Sequence, residues 1–147
     1  MSEAVGIKNA VLAAVAAGVS VVTGTLGGWD AALQTLLFFM ALDCVTGVVV
    51  AGVFKRSDKS MGGRLSSTAG FKGLCKKGAE LLLVLAAVRL DALAGEHQYT
   101  RMAVIVFFIG NEGLSVLENL AVMGVPFPAF LKGALEALRD RGDGGEQ

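Results

Sequence analysis

The sequence predicts an all-α integral membrane protein, with three to four transmembrane helices and a C-terminal amphipathic helix. Two observations carry this. The first is the spacing of charge: Lys8 to Asp30 encloses no charged residue, and Asp30 to Lys55 encloses only Asp43. Hydrophobic residues make up 54% of the chain and charged residues 18%, against about 25% charged in ordinary soluble domains. The second is Met102 to Val125, an apolar run long enough to cross a bilayer that nevertheless contains Asn111, Glu112, Ser115, Glu118 and Asn119.

The first apolar segment covers about residues 9–26. Ala10, Ala14 and Gly18 recur every four positions, as do Ala13 and Ala17, a spacing that lets helix backbones approach closely in lipid. A signal peptide is the competing reading, because Lys8 precedes an apolar core, but the core runs long and no convincing cleavage site follows. The second segment, 31–54, is long enough for a full crossing and carries Asp43 near its middle, with Thr46 and Gly47 one turn later. The third, 79–93, is the weakest, since Glu80 at one end and Arg89 and Asp91 at the other shorten its apolar length. Four crossings result if it spans; three result if it does not cross or if the first segment lies on the surface.

The fourth segment, 102–125, carries the polar residues at roughly helical spacing, so they form one stripe while Val106, Phe107, Leu114, Leu117 and Leu120 cover most of the rest. A carboxylate at the bilayer centre costs on the order of 2.5–3.5 kcal/mol by insertion scales, so the stripe must face protein or water. After it, Val125-Pro126-Phe127-Pro128 has to leave the helix, because proline disfavours helical geometry in the residue before it. Phe127, Phe130, Leu131, Ala134, Leu135 and Leu138 then alternate with Lys132, Glu136, Arg139 and Asp140 as an amphipathic helix over 128–141, suited to the cytoplasmic interface. Residues 1–141 thus read as one membrane domain, with 142–147 a disordered tail.

Orientation follows from the basic residues. Lys55, Arg56, Lys59, Arg64, Lys72, Lys76 and Lys77 lie between the second and third segments against Asp58 alone, which puts this loop in the cytoplasm. Overall the 13 basic and 13 acidic residues cancel, so net charge points to no nucleic-acid partner. Cys44 and Cys75 have no pairing signature, and a reduced protein is expected. No catalytic constellation is visible: His97 is the single histidine and has no nucleophile signature near it, and Gly70-Phe71-Lys72-Gly73 lacks phosphate-loop spacing. The chain therefore reads as a non-enzyme that needs no cofactor and no metal. Asp43 with Glu112 or Glu118 has two readings: a relay or cation site across a helix interface, or carboxylates held by Asn111, Asn119, Thr46 and Ser115 that join helices.

These motifs occur in a known order. Asp43-x-x-Thr46-Gly47, Ser66-Ser67-x-x-Gly70-Phe71-Lys72-Gly73 with Lys76-Lys77, Asn111-Glu112-Gly113-x-Ser115-x-x-Glu118-Asn119 and Gly124-Val125-Pro126-x-Pro128-x-x-Leu131 together resemble the toxin-secretion/phage-lysis holin family, from about residue 33 to 138. The alanine- and glycine-rich first segment is less typical of it. The resemblance implies a small bacteriophage or prophage protein that accumulates in the bacterial inner membrane, homo-oligomerises among the lipids and opens lesions. Through these a cytoplasmic endolysin, a peptidoglycan hydrolase, or in some cases a toxin, leaves the cell without necessarily touching it, causing cytolysis of the host. On this reading Asp43, Thr46, Asn111, Glu112, Ser115, Glu118 and Asn119 form the assembly or pore-lining face, and Ala10, Ala14 and Gly18 pack helices. The alternative is a small ion channel or transporter subunit using the intramembrane carboxylates.

Overall fold

A computed structural model describes residues 2–55, 66–95 and 97–144, and among these the regular structure is entirely helical. Arg56, Lys59 and Arg64 of the basic loop and the last residues of the expected tail lie outside the described residues.

Helix α1, Ser2–Thr25, starts earlier than its apolar core requires and ends at Gly27 and Gly28, whose φ values of 89° and 110° suit glycine. Asp30 then caps α2, Ala31–Val49, by accepting from the Leu33 backbone N–H at 2.9 Å. The helix continues as a π turn, Val50–Phe54, and stops at Lys55, which is left-handed at φ 53°. The predicted span 31–54 is therefore one continuous rod.

Helix α3, Ser67–Ala94, differs from expectation at its start. The sequence reads Lys72, Lys76 and Lys77 as parts of a loop, with the helix beginning near residue 79. Instead Ser66 caps it, accepting from Ala69 at 3.5 Å, and the three lysines sit on its first turns. The basic residues are compatible with helix because Lys72 and Lys76 face outward while Lys77 is neutralised by partners from two other helices. Gly95 closes the helix in the left-handed conformation, at φ 69°. Helix α4, Tyr99–Val122, lies about three residues nearer the N-terminus than the apolar run suggests, because Gly124, at φ 77°, and the two prolines end it early. Helix α5, Ala129–Gly142, follows an extended Pro128.

The pairings set the topology. Asp30 of the α2 cap meets Arg101 at the start of α4, and Thr46 meets Asn119 near its end, so α2 and α4 run parallel. Lys77 meets Glu112, and Asp91 meets Arg101, so α3 runs antiparallel between the same two levels. Between them lies an apolar core of Leu33, Leu36 and Met40 from α2, Val84 from α3, and Ile105, Phe108 and Ile109 from α4, with Leu26 at one end. In lipid such packing is held by dispersion contacts and interhelical polar bonds, since lipid tails are as apolar as leucine.

Helix α5 folds back along α4. Its buried residue Leu135 presses on Gly113, where a Cβ would stand 2.6 Å from a Leu135 methyl, and Gly110 would meet the Leu135 carbonyl at 2.6 Å. Gly142 reaches the backbone of Ala103 and Phe107. By contrast, none of the apolar window of α1 is buried, and Val5, Ile7, Val11, Leu12, Val15 and Val19 are exposed. Among the described residues, three helices are long and apolar enough to cross a membrane: α1, α2 with its π turn, and α4.

Candidate functional site

The polar face of α4 is built into a buried cluster that joins α2, α3 and α4. Asp43 of α2 and Glu112 of α4 are 7% and 0% exposed. The Lys77 ammonium of α3 stands between them, donating to Asp43 Oδ2 at 2.9 Å and to Glu112 Oε2. The other Asp43 oxygen accepts from Ser115 Oγ at 2.7 Å and from Asn119 Nδ2 at 3.1 Å. Asn119 also donates to Thr46 Oγ1 at 2.9 Å, and Thr46 donates back to the Leu42 carbonyl at 2.9 Å. Lys77, Ser115 and Asn119 thus donate to acceptors on other helices, and Thr46 to a carbonyl of its own helix, as polar groups removed from water require. Glu80, one turn along α3 from Lys77, is buried beside this network. The Lys76 ammonium lies 3.6 Å from Glu80 Oε1 and 3.8 Å from Glu112 Oε1, on a side chain that is 60% exposed.

A second cluster ties the opposite end. Asp91 of α3 accepts from the backbone N–H groups of Thr100 and Arg101, at 2.9 and 2.8 Å, and so caps the first turn of α4 from a neighbouring helix. The Arg101 side chain is fully buried. It donates to the Leu26 carbonyl at 2.6 Å, to Gly28 at 3.2 Å, to Gln98 at 3.1 Å, and bidentately to Asp30 at 2.5 and 3.2 Å. The Arg101 hydrogen bond holds the Asp30 carboxyl below its usual range. Gly27 leaves room for that guanidinium, since a Cβ there would lie 2.5 Å from Arg101 Nε. At 1.5 Å per residue, Arg101 and Glu112 are about 16 Å apart along α4. An Arg101 cluster placed at one interface would put the Lys77 cluster inside a hydrocarbon layer about 30 Å thick.

Among the predicted residues, Asp43, Thr46, Glu112, Ser115 and Asn119 come together as one network. Asn111 and Glu118 do not join it. They occupy the edge of the stripe, where Asn111 is half-buried and Glu118 exposed. Ala10, Ala14 and Gly18 are exposed on α1, and Gly18 has open space around it. Lys55 and Lys72 are exposed, Lys76 borders the network, and Lys77 belongs to it. Sequence reasoning missed the roles of Lys77, Glu80, Asp91 and Arg101. A signal was present: Lys77, Glu80, Val84, Ala87 and Asp91 are the buried residues of α3 and follow one helical face.

Comparison with known proteins bears on this arrangement. The model of the bacteriophage holin family matches residues 20–140. The chain is 41% identical over 120 residues to an uncharacterized 14.9 kDa protein in the nagH 3′ region of Clostridium perfringens, covering 81% of this chain and 85% of that protein. A Listeria monocytogenes protein is 40% identical over 106 residues, covering 72% of this chain and 70% of the relative. A probable holin of Bacillus phage phi105 is 32% identical over 111 residues, 76% of each. No solved structure matches. The match takes in both polar clusters, all of α2, α3 and α4 and most of α5 while leaving most of α1 outside, and on this evidence the chain, a multi-pass membrane protein, belongs to the bacteriophage holin family.

Proposed function

We propose that this protein is a holin of the bacterial inner membrane, which homo-oligomerises and opens lesions that release a cytoplasmic endolysin, or a toxin, so that the host lyses at a set time. The observation that carries the reading is the α4 stripe. Its inner edge, Glu112, Ser115 and Asn119, is consumed by contacts within the chain, whereas its outer edge keeps Glu118 exposed on a helix of membrane-crossing length. An exposed carboxylate there needs protein or water, and a second copy followed by a water-filled lesion supplies each in turn. The exposed apolar length of α1, with Ala10, Ala14 and Gly18, offers a further surface for copies to meet. The family and the phage relative support the same role.

The channel alternative finds less support, because Asp43 and Glu112 are closed off by Lys77 and do not face open space. Expression in bacteria with and without a cytoplasmic endolysin tests the proposal. A holin kills in both strains and clears the culture only where the endolysin is present. Clearing that needs no endolysin, or growth unaffected by accumulation, refutes it.

A further inference from the structure

The carboxylates at the α3–α4 contact outnumber what their cations satisfy. Asp43, Glu80 and Glu112 contribute three negative charges, and Lys76 and Lys77 two positive ones. Lys77 donates to Asp43 and to Glu112 Oε2, and Asp43 is further satisfied by Ser115 and Asn119. The deficit falls on Glu80 and Glu112. Both Glu80 oxygens and Glu112 Oε1 are buried with no hydrogen-bond donor, and the two residues are 3% and 0% exposed. Their carboxyl groups are close neighbours, both within 4 Å of the same Lys76 nitrogen. Two ionised acceptors cannot satisfy each other, and an unsatisfied buried carboxylate costs several kcal/mol.

We propose that Glu80 and Glu112 form a proton-binding site, one proton being held between their carboxyl groups at the α3–α4 interface. A proton taken from water onto one Glu80 oxygen turns that acceptor into a donor toward Glu112 Oε1, so one orphan oxygen on each residue gains a partner. The same proton brings the five-residue charge count to zero. A metal cation is the poorer occupant, because the Lys77 ammonium already stands between Asp43 and Glu112 and Lys76 stands over the remaining oxygens. The charged groups at the pair are Lys76 and Lys77 from α3, with Asp43 of α2 on the far side of Lys77, where Ser115 and Asn119 of α4 bond it, while α5 presents the apolar Leu135 to this stretch at Gly113. The proton is therefore an integral ligand of the helix trio, and stripping it leaves one excess negative charge between α3 and α4.

Infrared spectroscopy of the full-length protein in lipid vesicles at neutral pH tests this independently of any lytic role. Wild-type protein should show the carbonyl band of a protonated carboxylic acid, shifting in D2O and disappearing reversibly as the pH is raised. Glu118→Gln should keep the band, and the double variant Glu80→Gln, Glu112→Gln should lose it. A wild-type spectrum with carboxylate bands alone overturns the proposal without reference to any variant. A band that survives in the double variant overturns it as well, by placing the proton elsewhere.

Discussion

Replacing Lys77 with Met keeps the length and helix propensity of the side chain and removes only its charge and donors. Asp43 and Glu112, 7% and 0% exposed, are then left facing each other without their shared cation. Removing one partner of a buried ion pair costs about 3–5 kcal/mol. Deleting one interhelical hydrogen bond in a membrane protein costs about 0.6–2 kcal/mol. Ser115→Ala, which removes the 2.7 Å bond to Asp43, is the internal reference, and Lys77→Met should exceed it by at least about 1 kcal/mol. Denaturant titration in micelles, followed by circular dichroism, gives both differences. Combining Lys77→Met with Asp43→Asn should recover much of the loss, since that double variant removes a charge from each side. Equal costs for Lys77→Met and Ser115→Ala, or no recovery in the double variant, would refute the view that Lys77 neutralises the cluster.

Gly110→Leu should detach α5 from α4, because a Cβ at that position meets the α5 backbone at Arg139 and Leu135, which cannot move aside as a side chain can; loss of a disulfide engineered between the two helices reports it. For the Arg101 cluster the sign follows from Asp30, whose carboxyl is held down by the Arg101 hydrogen bond. Its contribution is present above the ordinary carboxylate range and lost as pH falls through the lowered folded value, so Arg101→Ala should flatten the acid limb of a stability-against-pH curve. Along the α4 stripe, Asn119→Leu should cost stability, whereas Glu118→Leu should leave the monomer fold intact and delay or abolish lysis. Lysis on the wild-type schedule with Glu118→Leu would count against an assembly role for that edge.

The helical class and the α2 boundaries were legible because apolar runs bounded by charge are a length signal, and length in a bilayer is tightly constrained. The inner members of the site, Asp43, Glu112, Ser115 and Asn119, were legible for a related reason: polar residues inside such runs are too costly to stand alone. Lys77 was not, because a lysine next to other lysines beyond the end of a span has the same local appearance whether it faces the cytoplasm or turns inward to a carboxylate 34 residues away in sequence. Arg101 escaped for the mirror reason. It sits at a predicted helix start, where a charged residue needs no explanation, and its partners Leu26, Gly28 and Asp30 lie on a distant turn. The fold-back of α5 rests on Gly110 and Gly113, and small residues on one helix give no indication of which other helix will use them.

The isolation of α1 bears on how a chain of this kind is oriented. Arg101 clasps only the turn after α1, and the polar clusters and core of the bundle are supplied by α2, α3 and α4. Where α3 crosses together with α2 and α4, the passes are three, an odd number, so the entrance to α2 and the exit from α4 open on opposite faces of the bilayer whatever precedes them. A first helix that also crosses makes the number even and brings the N-terminus to the side where α4 ends; one that stays in a single leaflet leaves the N-terminus on the other side. Parity is thus decided by a segment that supplies none of the buried charges. A tag fused at the N-terminus would report the disposition of α1.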